Sequence, residues 1–157
     1  MKLPPAHRLR PDFRWTATSL ANAVFRHDIP GLYCRYADSL KIHDFSLAWA
    51  DNLPAYFSNA IECEDFRHLD LDRFEGRQAA TPSEAPAILL RRGQHVSVRN
   101  SKADAGTSTF VSAYDIQDAG MLVANDLRNA KRVFDPGQPG FFMSGNNLPG
   151  KAPAAAK

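Results

Sequence analysis

The chain has 157 residues, of which 44% are hydrophobic and 23% charged, and its net charge is +2. That composition suits one folded domain of ordinary size and excludes a chain too polar to fold. The charge is too small to argue for a nucleic-acid partner by itself. The two cysteines, Cys34 and Cys63, permit one disulfide, but nothing marks a secreted disulfide scaffold. No apolar run approaches the roughly 18 residues of a membrane span, and the N-terminus lacks the apolar core of a signal peptide. The expectation is a soluble intracellular protein, of the cytoplasm or an organelle matrix, with reduced thiols.

Residues 1–14, MKLPPAHRLRPDFR, hold three prolines and four basic residues against one acid. The prolines forbid a regular helix, so an extended basic arm is expected. It lies along a partner or frays as a terminus; an Arg-rich transit peptide fits less well. Trp15 to His27 reads as a helix with its apolar stripe at Ala17, Leu20, Ala21, Val24 and Phe25.

His27 to Leu53 gives the longest helical signal. Asp28 can cap it, and Pro30 suits its first turn. Ile29, Leu32, Tyr33, Tyr36, Ala37 and Leu40 share one face at helical periodicity, with Arg35, Asp38 and Lys41 opposite. The reading is a helix, a break at His43-Asp44, and a shorter helix through Phe45, Ala48 and Trp49, stopped by Pro54.

Ala60 to Phe66 alternates as a half-buried strand, which makes Cys63 a core residue. Six acids follow closely: Glu62, Glu64, Asp65, Asp70, Asp72 and Glu75. Their spacing fits no EF-hand, and a solvated acidic face is expected. Gly76 to Pro86 is turn-rich, and Ala87 to Leu90 is a short apolar run. Gln94–Asn100 and Thr107–Ile116 read as two strands of an antiparallel hairpin. Asp126 to Phe134 suits either a helix or a strand. Residues 136–157 form an extended Pro/Gly/Ala-rich tail in which Phe141, Phe142 and Met143 stand out, as a docking plug or as a segment folded back on the domain. No internal repeat emerges.

For chemistry, His27, Cys34, His43, Cys63 and His68 fit no zinc spacing, so neither metal nor cofactor is expected. No phosphate-binding glycine loop or nucleophile elbow occurs. His43, Asp44 and His95 are the acid–base candidates, on condition that His95 shares a cavity with His43. Arg99, on the outer face of its strand, is a binding candidate.

LYCRYADSLKIHDFSLAWAD, YFSNAIECEDF, EGRQA, QHVSVRN and TSTFVSAYDI, in that order, resemble the NTF2-like (SnoaL-like) proteins over about residues 31–116. The resemblance implies an α+β cone, with N-terminal helices packed on a curved antiparallel sheet around a pocket that Tyr33 and Tyr36 would line. The family includes lyases and isomerases with His/Asp pairs and non-catalytic binding modules. The chain departs from it by lacking a Trp in Met121–Phe134 and by carrying arms. The expected organisation is therefore arm (1–14), domain (15–135) and tail (136–157).

The expected function is that of a non-catalytic interaction protein. It would be an accessory or structural subunit that docks through its arms onto protein subunits of a larger assembly, or onto its own copies. The alternative is a small-pocket enzyme of lyase or isomerase type. A nucleic-acid-associated role is third, because arginines are few and no aromatic stacking platform is evident.

Overall fold

The computed structural model describes residues 29–80, 84–118, 120–135 and 141–150. Its elements, in chain order, are all strands: β1 (Leu32–Arg35), β2 (Asp38–His43), β3 (Ser46–Leu47), β4 (Ile61–Asp72), β5 (Glu75–Gly76), β6 (Pro86–Arg99), β7 (Lys102–Ala103), β8 (Thr107–Ile116), β9 (Met121–Val123), β10 (Ala130–Phe134) and β11 (Phe142–Ser144). Among the described residues there is no helix, and every strand ladder is parallel.

The ladders wind into a β-solenoid. One column of aligned residues runs Leu32, Ile61, Ile88, Val111, Phe134, so each coil takes about 23 to 29 residues, a length typical of repeat architectures. Each coil has three sides. The first carries β1, the start of β4, the start of β6, β8 and β10. The second carries β2, the end of β4, the end of β6, β9 and β11. The third is β3-β5-β7, continued by bridges from Lys102 to Asp126 and from Asp126 to Asn147.

The alternation of each strand builds the core. Ile61, Ile88 and Val111 stack inward as one ladder, as do Leu71, Val98 and Leu122; all six are fully buried. Phe45 stacks on Phe74 with ring centroids 6.1 Å apart. Packing like side chains over like makes each coil bury its neighbour's apolar face, which no single coil can do for itself.

Corners are made by residues in the left-handed region. Asp44, Arg73, Asn100, Ala124 and Gly145 occupy one corner, with φ between 50° and 65°. Each of the first four donates its N–H to the coil above: Asp44 to Asp72, Arg73 to Arg99, Asn100 to Val123 and Ala124 to Ser144. Tyr36, Asp65, Arg92 and Asp115 form a second such column, and Ser39, His68 and His95 a third. A non-glycine residue in this region costs about 1–2 kcal/mol, so the columns persist because the stacked coils on both sides fix them.

These findings overturn the α+β, NTF2-like cone. The stretch read as helix-break-helix is β1, β2 and β3. The supposed hairpin does not form: after Asn100 the chain turns along β7, and β8 returns parallel to Pro86–Gly93, aligning Ile88 with Val111, while Ser97–Arg99 pairs with Met121–Val123. Asp126–Phe134 is a bridge, a turn and strand β10. A repeat is present where none was read. The acidic run is not a solvated face, since Glu62, Glu64 and Asp72 are buried. The expected arm at 1–14, the helix at Trp15–His27, and residues 136–140 and 151–157 of the tail lie outside the described residues. No helix among the described residues is long and apolar enough to cross a membrane.

Candidate functional site

The second side of the solenoid presents two outward rows. One reads Lys41, Asp70, Ser97, Met121, Phe142 across successive coils; the other reads His43, Asp72, Arg99, Val123, Ser144. Both follow from the strand period, because the intervening residues Ile42, Leu71, Val98 and Leu122 point inward. Neighbouring coils are about 4.8 Å apart, so each row is a regular ladder of functional groups.

A groove of about 440 Å³ runs over this side, lined by Lys41, His68, Asp70, His95, Ser97 and Met121 among others. His68 and His95 form its edge, their rings stacked at 4.6 Å and 15°. Each ring is anchored through Nδ1, His68 to Asp38 at 3.2 Å and His95 to Asp118 at 3.3 Å. Anchoring by Nδ1 fixes ring orientation and leaves the other nitrogen directed away from the carboxylate. The His68 hydrogen bond, with Arg67 nearby, holds the Asp38 carboxyl below the usual range.

Beside the groove the charges interlock. Arg99 donates to Asp70 at 2.8 Å and lies 3.6 Å from Asp72. Asp72 also accepts from Asn100 at 2.9 Å and from Arg73 at 3.0 Å. The Asn100 amide first, then the two arginines, hold Asp72 below the usual carboxylate range. His43 Nε2 stands 3.7 Å from the same Asp70 oxygen that Arg99 grips. The other Asp70 oxygen and Arg99 Nε are enclosed and make no hydrogen bond among the described residues. The Arg99 hydrogen bond fixes the orientation of the Asp70 carboxylate.

The expected site residues fall in separate places. His43 and Arg99 sit in the second outward row. Asp44 is at a corner, gripped through two oxygens by Arg73, which lowers its pKa. His95 is on the groove edge, four residues before Arg99 on β6. It therefore lies about 13 Å from His43 along the strands and about 10 Å across them, and the two do not converge. Tyr33 is on the first side, its hydroxyl 3.4 Å from Glu64, and burial raises its pKa. Tyr36 is 75% exposed at a corner under the Arg35 guanidinium. Of the tail residues, Phe141 is buried against Phe134, while Phe142 and Met143 are exposed on β11.

Lys41, His68, Asp70, Asp72 and Ser97 were missed as site residues. Their signal was the two-residue alternation in DSLKIH, RHLDLD and QHVSVR, which puts them on one face only once the three segments are aligned. Among the described residues, no group of three or more His, Cys, Asp or Glu is placed to hold a metal ion. No family model, no curated protein and no solved structure matches the chain.

Proposed function

We propose that the protein is a ligand-binding β-solenoid module that holds an extended, polyhydroxylated polymer, a polysaccharide chain, along its second side. The observation that carries this reading is the groove crossing successive coils, with Lys41, Asp70 and Ser97 in one row and His68 and His95 along its edge. Fold alone assigns no function, so the argument rests on the groups the side displays. Ammonium, imidazole, hydroxyl and carboxylate alternate there at a fixed spacing. That mixture of donors and acceptors suits hydroxyls, which both donate and accept. The Asp70 carboxylate in the groove disfavours a phosphate backbone, which calls for unopposed cations. Met121 and Phe142 extend the same row with exposed apolar surface, against which the C–H faces of sugar rings can pack.

The test is calorimetric titration with oligosaccharides of increasing length, neutral and uronic. Affinity is expected to rise with length until the chain spans the coils. Lys41→Ala and Ser97→Ala together are expected to weaken binding roughly tenfold, the size of one or two polar contacts. Absence of binding at every length, or affinity independent of length, overturns the reading. Capture of a protein through Phe142 and Met143, unaffected by Lys41→Ala, would instead support the docking role expected of the tail.

A second reading is favoured by the approach of His43 to Asp70. Acid–base chemistry on the bound polymer would use Asp70 with His43, and release of new chain ends, abolished by Asp70→Asn, is its readout.

A further inference from the structure

Cys34 and Cys63 are register partners on β1 and β4. Both point toward the interior, where the column continues through Leu90 and Ala113. In-register parallel neighbours have Cα atoms about 4.8 Å apart, within the range of about 4.4–6.8 Å that a disulfide spans. The two are unlinked in the structure. Cys63 is wholly buried, while Cys34, on the first described coil, is partly exposed. Cys34 is thus the more accessible of the two, and Cys63 lies beside it in the interior.

We propose that this pair is an oxidation site at which a hydroperoxide converts Cys34 and Cys63 into a disulfide joining the first coil to the second. The Cys34 thiolate attacks one peroxide oxygen. The O–O bond breaks, and the departing hydroxide or alkoxide takes up a proton, leaving a sulfenic acid on Cys34. The Cys63 sulfur then attacks Cys34 Sγ; the S–O bond breaks, and the hydroxyl leaves as water with the Cys63 proton. With hydrogen peroxide, two thiols and one peroxide give one disulfide and two waters. The peroxide gains the two electrons that the thiols lose.

The hydrogen bond from Cys63 outweighs burial and brings the Cys34 thiol down to about 7, while that contact and burial push Cys63 up. The division of roles follows from access and agrees with this asymmetry: the thiol of the partly exposed Cys34 is the nucleophile and the enclosed one the resolving thiol.

The experiment treats the reduced full-length protein with one equivalent of hydrogen peroxide. It follows free thiols, peptide mapping and thermal unfolding. Expected are loss of two thiols together, a Cys34–Cys63 linked peptide within one chain, and a raised Tm that a dithiol reverses. Cys34→Ala is expected to slow thiol loss roughly tenfold, because Cys63 alone is neither exposed nor ionised. Cys63→Ala keeps a small apolar group in the core. It is expected to stop at a Cys34 sulfenic acid that a carbon-acid trap captures. Thiol loss as fast in Cys34→Ala as in the parent overturns the proposal. So does oxidation of the parent to the sulfinic acid, or to dimers between chains, without the internal disulfide.

Discussion

Gly93 lies directly across β4 and β6 from Phe66, whose ring fills the space a side chain at 93 would need. A Cβ on Gly93 would stand 2.2 Å from Phe66 Cζ and 2.5 Å from two other ring carbons. Phe66 is nearly fully buried, so its ring cannot swing clear without leaving the core. Gly93→Ala is therefore expected to destabilise the protein by about 1–3 kcal/mol through overpacking. Phe66→Leu in the same background should recover part of that loss. Chemical denaturation of both variants checks this; a single substitution at Gly93 with no effect would show that the ring is not fixed.

Asn125 ties three coils together. Its Oδ1 accepts from the Ser101 N–H at 2.8 Å, and its Nδ2 donates to the Val98 carbonyl and to Asn146 Oδ1, both at 3.0 Å. The side chain is buried, so each broken bond leaves a polar group that water cannot reach. Asn125→Ala is expected to cost about 2–4 kcal/mol. Asn125→Asp should be worse, because an oxygen then faces the Val98 carbonyl and Asn146 Oδ1. A denaturant midpoint for Asn125→Ala equal to that of the parent would remove this residue from the account of stability.

What was legible in the chain is local, and what was lost is phase. The alternation around Ile61–Cys63 and Val96–Val98 is visible as strand, and β4 and β6 contain those residues. In the stretch from Leu32 to Ile42, however, two strands are joined by corner residues Tyr36 and Ser39 in the left-handed region. Each corner resets which residues face inward. Leu32 and Leu40 then fall eight apart with Tyr36 midway, and a succession of two-residue steps imitates a helical stripe. The repeat was readable in principle as HDFSL, DRFEG, RNSKA, VANDL and SGNNL, the five segments that turn the same corner. They share a position rather than an identity: Phe45, Phe74, Ser101, Asn125 and Asn146 stack in one column although three side-chain chemistries fill it. The groove was hidden for the same reason. Lys41, Asp70 and Ser97 are far apart in sequence, and only the coil registers bring them side by side.

Core substitutions should show the one-dimensional character of the solenoid. Leu71 is fully buried between Ile42 on one side and Val98 on the other, whereas Ile42 is only partly buried on the first described coil. Leu71→Ala opens a cavity with neighbours above and below, and about 2–5 kcal/mol of destabilisation is expected. Ile42→Ala should cost clearly less, because it weakens one interface between coils rather than two. Equal losses in urea titrations of the two variants would argue that the coils do not contribute additively.

Acid should unfasten the corner column of Tyr36, Asp65, Arg92 and Asp115 before it reaches the core. Asp65 accepts from Arg92 at 2.7 Å and from Arg35 at 2.9 Å, joining residues of three successive coils. Those hydrogen bonds, Arg92 first, hold the Asp65 carboxyl down at about 2. An unfolded aspartate titrates near roughly 3.9. The folded pKa is the lower one, so the stabilisation is fully present above the unfolded value. It is lost as pH falls through the window from about 4 to about 2, because the unfolded chain binds the proton first. The parent protein should therefore lose thermal stability across that window. Asp65→Asn should start lower at neutral pH and show a shallower slope over the same range. Asp38, Asp44 and Asp72 are also lowered by their partners and give the variant a residual slope. Asp65 is thus measured by the difference between the two curves. The groups are solvent-facing, so added salt should shrink that difference. Parallel curves at low salt would mean that the three-coil bridge contributes nothing measurable.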